Sequence, residues 1–169
     1  MIKTSTTMKE NTTTMNGKTT TKARGERNNN PLNIKYLKAN NWLGKVNDRE
    51  KKDPVFEEFT SMVYGLRAAI KLIRRHIARE NAPTPRAIIN RWAPPTADHN
   101  PTEAYITFVE QRMKQLMEKE WALTNHYDPA SRINPRDFDQ MRALVTAMCE
   151  FESKYTPMYS QFNAAWKTV

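Results

Sequence analysis

Cysteine is nearly absent. The single residue of its kind, Cys149, excludes an internal disulfide framework and a cysteine-based zinc cluster. Histidine is scarce too, and His76, His99 and His126 stand too far apart in the chain to suggest a metal site. No Walker loop, zinc finger or dinucleotide fingerprint occurs, so neither a metal nor a cofactor is expected. There is no apolar run long enough to span a bilayer. The N-terminal lysine is not followed by a continuous apolar stretch, so a classical signal peptide is not expected, and export would need another route. Acidic residues are outnumbered, 18 against 27 Lys and Arg, which leaves a net charge of +9. That balance favours negatively charged partners: nucleic acid, phosphate-bearing wall polymers, or an acidic neighbour in an assembly. A solvated basic surface is the plainest account of the same number.

What is present divides unevenly. Residues 1–23 are dominated by Thr, Lys, Asn and Met and offer almost nothing to bury, so a disordered tail or packaging arm is expected there. From Asn33 to Phe59 the pattern is short and irregular, which predicts loops with one or two short strands. Trp42, Val55, Phe56 and Phe59 are the residues expected to hold this lobe to the core. Helical spacing begins at Ser61: Val63, Leu66, Ile70, Ile73 and Ile77 recur on one face of a helix expected to reach Arg79. Arg67, Lys71, Arg74 and Arg75 occupy its other face, suited to solvent or to phosphates.

Thr84-Pro85 predicts an N-cap with proline in the first turn, and Pro94-Pro95 should end that helix at Trp92. Asn100-Pro101-Thr102-Glu103 predicts a capping box, and Asn134-Pro135-Arg136-Asp137 a second start of the same kind. Their helices carry Ile106, Val109, Met113, Leu116 and Met117, then Phe138, Met141, Leu144, Val145, Met148 and Phe151. Thr156-Pro157 breaks the last helix, and Tyr159, Phe162 and Trp166 can dock on the bundle. The expected fold is mainly α: a helical domain with a loop-rich N-terminal lobe and a C-terminal helical extension.

Arg24-Gly25-Glu26-Arg27-Asn28-Asn29-Asn30-Pro31-Leu32-Asn33-Ile34 fits neither helix nor strand. Asparagine side chains compete for backbone hydrogen bonds and tolerate left-handed φ. The stretch therefore predicts a loop dense in amide and guanidinium donors. Such a loop suits a hydroxyl-rich ligand such as a glycan, or a rigid turn whose amides satisfy its own backbone.

This run is followed in order by Trp42-x-Gly44, Phe56-x-x-Phe59, Tyr64-Gly65-x-Arg67-Ala68, Arg91-Trp92-Ala93-Pro94-Pro95 and Thr102-x-x-Tyr105-Ile106. As an ordered set, spanning Arg24 to Arg112, they resemble the phage and prophage virion "structural protein P5" family. That resemblance implies a virion-associated protein, or one held in the host cytoplasm before release, with other phage structural proteins as partners. A second resemblance, to lysozyme-like glucosaminidases, rests on Asn29, Asn30, Ile34, Lys35, Trp42, Gly44, Phe56, Phe59 and Tyr105. It implies an α+β lysozyme-like domain over residues 24–125, with 126–169 as the extension. It also implies a groove accepting peptidoglycan, and an activity of glycoside hydrolase or lytic transglycosylase type. Those enzymes keep their catalytic glutamate on a helix upstream of the asparagines. Here that region is the Thr-rich tail, where Glu10 has no helical frame.

Glycoside cleavage needs a protonated carboxylic acid beside the scissile bond. Glu26, Glu57 and Glu58 are the candidates. Arg24 and Arg27 should depress Glu26 and favour an ion-paired structural role for it. Glu57 and Glu58 lie between two phenylalanines, a better setting for a raised pKa, with one of them facing solvent. Asn28, Asn29, Asn30, Asn33, Trp42, Tyr64, Arg67, Trp92 and Tyr105 are the candidate substrate-binding residues. Packing is the competing account of the aromatic ones, most of all for Trp92. The function expected first is a virion-associated protein whose lysozyme-like domain binds peptidoglycan strands, with cleavage left open; a non-enzymatic part in particle assembly and nucleic-acid binding through the basic surface are the alternatives, in that order.

Overall fold

The computed structural model describes residues 12–15, 18–79, 81–97 and 99–169. In the N-terminal segment, β1 (Thr12–Met15) and β2 (Lys18–Thr21) pair antiparallel, Thr12 opposite Thr21. The disorder expected of residues 1–23 concerns in part residues 1–11 and 16–17, among them Glu10, which lie outside the described residues. The rest of the chain is mainly helical, as the spacing predicts. A single turn α1 (Arg24–Arg27) precedes the loop-rich lobe, and α2 (Met62–Arg79), α3 (Pro85–Trp92) and α4 (Thr102–Gln115) follow. One π-helical turn, Leu116–Glu120, extends α4, and α5 (Phe138–Ser153) and α6 (Tyr159–Trp166) complete the chain.

The helices enclose one apolar core. Leu66, Ile70 and Ile73 of α2, Ile106, Val109 and Met113 of α4, and Met141, Leu144 and Met148 of α5 are all fully buried. Burial of such side chains stabilises a fold by roughly 1.5–3 kcal/mol each. α5 packs on α4, and α6 on α2. Phe138 anchors α6 through edge-to-face contacts with Phe162 and Trp166, at 5.3 and 5.6 Å between ring centres. Segment 126–169 therefore shares the core of the residues before it.

Thr84 caps α3 as expected: its hydroxyl accepts from the Ala87 N–H at 3.2 Å, with Pro85 in the first turn. The predicted capping box at Asn100 does not form. Asn100 turns its amide back onto the carbonyls of Pro94 and Ala97, Glu103 pairs with Arg86 at 2.9 Å, and the Thr102 hydroxyl donates to Ala93 O. Helix α5 begins later than Asn134, because Asp137 is the residue that caps it, accepting from the Gln140 N–H at 2.9 Å.

The lobe from Asn28 to Thr60 is held by isolated bridges, Lys35 with Phe56 and Lys45 with Phe59. Phe59 is buried, Trp42 and Phe56 are partly so, and Val55 is 52% exposed. Val55 thus does not hold the lobe to the core. It follows Asp53-Pro54 in a turn fixed by Asp53, whose carboxylate accepts from the Val55 and Phe56 N–H groups.

Candidate functional site

The asparagine run folds into a compact lock between α1 and α2. Asn30 is wholly buried. Its Nδ2 donates to Ile34 O and Glu57 O, and its Oδ1 accepts from the Ile34 N–H, all at 2.9 Å. Asn28 donates to Asp53 at 2.8 Å, and its carbonyl accepts the Phe59 N–H. Burial works against ionisation of Asp53, but the bonds from Asn28, Val55 and Phe56 outweigh it and hold the carboxyl below its usual range. Asn29 and Asn33 both adopt left-handed backbone, φ 50° and 48°, which asparagine tolerates. Asn29 donates to Phe59 O at 2.9 Å. Its own carbonyl presses on α2 at Gly65, where an added Cβ would sit 1.9 Å from it. The Trp-x-Gly and Tyr-Gly motifs interlock in the same way. Gly44, at φ 74°, leaves the space that the Tyr64 ring fills.

The three candidate acids have internal tasks. Glu26 pairs with Lys22 at 3.2 Å. Glu58 accepts from the Lys52 and Asp53 N–H groups and so closes the 46–58 loop. Glu57 is 0% exposed, accepts weakly from the Leu37 N–H at 3.3 Å, and has the Lys45 ammonium 3.8 Å away. Burial drives its pKa up, and Leu37, Lys45 and Lys51 pull it back only in part. Lys45 and Lys51 stand over the Tyr36 ring at 4.7 and 4.6 Å. Glu57 is therefore the centre of a buried charge cluster inside the lobe.

The remaining candidates are spread through the structure. Trp42 is half-buried against the core, its indole N–H buried without an acceptor among the described residues. Arg67 donates to Thr168 O at 2.9 Å, tying α2 to the C-terminus. Farther along the same basic face, Arg74 donates to Pro135 O and stacks over Trp166 at 4.3 Å. Tyr105 is buried and stacks on Phe151, 4.1 Å between ring centres. Its hydroxyl lies beside Glu152 without a hydrogen bond of normal geometry, and burial, then that carboxylate, push its pKa far up.

One groove of about 660 Å³ does gather residues from several motifs. Leu32, Asn33, Ile34 and Phe56 of the lobe line it together with Leu72, His76, Arg91 and Trp92 of α2 and α3. Arg24, Lys35 and Val55 stand along it as well, and Glu152 lines it from the end of α5. Asn33 donates to a Glu152 carboxylate oxygen at 3.1 Å, and burial raises the Glu152 pKa against that bond. Of the candidate site residues, Asn33 and Trp92 reach this groove; Glu26, Glu57 and Glu58 do not. Sequence reasoning missed Glu152, which lies 119 residues from Asn33 and outside every motif. Among the described residues no cluster of His, Cys, Asp and Glu could hold a metal, and no helix is long and apolar enough to cross a membrane.

No protein-family model matches the chain. Protein P5 of Pseudoalteromonas phage PM2 is 33% identical over 127 residues, which cover 71% of this chain and 78% of that protein.

Proposed function

The chain belongs to the family of the phage protein P5, and from that premise we propose that it is a non-enzymatic structural component of a phage particle. It would be virion-associated and act through contacts with other particle proteins. The observation that carries this reading is the fate of the asparagine run. Asn28, Asn29 and Asn30 spend their side-chain amides on Asp53, Phe59, Ile34 and Glu57. These residues thus account for themselves as a structural lock without a ligand. Glu26, Glu57 and Glu58 are likewise engaged in ion pairing, burial and loop closure, where none can meet a glycosidic oxygen in the groove.

A second reading keeps the lysozyme-like α+β domain and its glycan groove, and a specific observation favours it. Glu152 offers a carboxyl whose pKa burial raises, in a groove that also holds Asn33, Phe56 and Trp92. A protonated acid among aromatic and amide groups is what glycoside cleavage requires. Against it, the Arg24 guanidinium lies over one face of the Phe56 ring at 4.9 Å, so a sugar stacking on that face would have to displace it.

Particles purified through two density gradients separate the readings. A structural component persists in the particles at constant stoichiometry, and the recombinant protein neither sediments with insoluble peptidoglycan nor releases fragments from it. Loss from purified particles together with wall binding would reverse the assignment.

A further inference from the structure

Helix α2 carries five Lys and Arg and no Asp or Glu. Its apolar stripe fills the core, so the cations are confined to the outer face. Arg67, Lys71 and Arg79 stand in one row of the i, i+4 kind, about 18 Å long at 1.5 Å per residue. Tertiary contacts widen this row into a patch. Arg67 Nε donates to Thr168 O, Arg74 Nε donates to Pro135 O, and the Arg74 guanidinium lies over the Trp166 ring. The exposed Arg136 and Lys167 adjoin those partners in sequence and are thereby brought alongside α2. Lys71, Arg79, Arg136 and Lys167 are exposed, and their side chains have no partner among the described residues. Arg67 and Arg74 are bonded to neutral carbonyls, which leaves their charge uncompensated. Arg75 stands on the same face but already has a partner. The acidic residues next to these positions in sequence are Glu80, Asp137 and Asp139, and the Asp137 carboxylate is taken up in capping α5.

What the patch lacks selects among polyanions. None of the large apolar side chains exposed among the described residues lies in α2, in 134–136 or in 166–168. A protein interface centres on an apolar or aromatic anchor, and an amphipathic helix on a lipid surface buries a row of Leu, Phe or Trp. Single-stranded nucleic acid needs a free aromatic platform, whereas Trp166 is covered by Arg74 and packs on Phe138 and Phe162. A duplex backbone needs none of these. It presents one charge about every 1.7 Å of its axis, and cations spaced along a rigid row release its counterions.

We propose that this patch binds the phosphate backbone of duplex nucleic acid without reading its sequence, Lys71, Arg79, Arg136 and Lys167 pairing with phosphates and Arg67 and Arg74 adding charge beside them. The patch gives the chain a second kind of partner beside other particle proteins, and it does not depend on that reading.

The test is fluorescence anisotropy of a labelled DNA duplex of about 30 base pairs, titrated with the full-length protein at salt from about 0.05 to 0.3 M. Four phosphate contacts predict that log K falls against log salt with a slope of roughly −4. K71Q/R79Q should bring the slope to roughly −2 and raise Kd at about 0.1 M salt by tenfold or more. K38Q/R49Q removes the same two charges from exposed positions of the lobe and should leave the slope where it was. Circular dichroism and urea unfolding verify the fold of each variant, and the slope of the unaltered protein is a reading independent of both. A slope near zero, or equal losses from the two double variants, overturns the proposal. So does displacement of the duplex by polyglutamate or by phosphatidylglycerol vesicles at the same charge concentration, because the patch then takes an acidic protein or a lipid surface. Particle association is measured separately: protein retained in particles but blind to the duplex refutes the patch and leaves the structural reading standing.

Discussion

Replacing Asn30 with Ala removes three hydrogen bonds of a fully buried side chain. The cost follows from what each partner retains. Ile34 O still accepts the Glu57 N–H at 2.8 Å, so it stays paired. The Ile34 N–H and Glu57 O lose their partners. A buried group left unsatisfied costs about 1–3 kcal/mol, so N30A should destabilise by about 2–6 kcal/mol. Domains of this kind hold only about 5–15 kcal/mol in total, so the variant should be marginal and unfold at far lower urea concentration, with an unchanged m-value. N30D adds a signature of sign. Its carboxylate would face two carbonyl oxygens in a buried site, so its folded pKa must lie above the unfolded value. In the window between them the folded state binds the extra proton, and stability falls as pH rises. N30D should therefore be closest to the unaltered protein below about pH 4 and worst at neutral pH. Urea unfolding followed by tryptophan fluorescence across that range measures both effects. N30A within about 0.5 kcal/mol of the unaltered protein, the usual spread for an inert surface change, would refute the lock.

Three further outcomes are expected. G65A places a methyl group against the Asn29 carbonyl and should cost roughly 1–3 kcal/mol by overpacking, read in the same unfolding assay. E58A deprives the Lys52 and Asp53 N–H groups of their acceptor and should cost about 1 kcal/mol. Hydrogen exchange at those two amides should accelerate, whereas E26Q should leave both stability and exchange as they were. Because burial holds the Glu152 pKa above the unfolded value, its folded form retains a proton longer. Stability should then decline as pH rises from the unfolded carboxylate pKa through the folded one, and E152Q should flatten that slope in a stability–pH series.

The helical part of this fold was legible because its signals are local. The stripe from Leu66 to Ile73 fills the core of α2, and Thr84-Pro85 starts α3 with the cap its chemistry implies. The Asn100 start looked equally clear. It differed because two loop carbonyls, Pro94 O and Ala97 O, outcompeted the helix end for the amide, and Arg86 took Glu103. The groove was half legible. Asn33, Phe56 and Trp92 belong to motifs and converge there, but Glu152 arrives from α5 through a contact spanning 119 residues. Nothing local in Glu150-Phe151-Glu152-Ser153 separates it from an ordinary exposed glutamate. Its surroundings come from tertiary packing: Tyr105 stacks on the neighbouring Phe151, and Asn33 reaches the helix end.

Muropeptide release from purified peptidoglycan by the full-length protein, followed by mass spectrometry across mildly acidic to neutral pH, tests the non-enzymatic assignment most directly. The account predicts no soluble fragments at any pH, for the protein and for E152Q alike. Fragments released by the unaltered protein and lost in E152Q would contradict it, and would make Glu152 the acid of a glycan-cleaving groove.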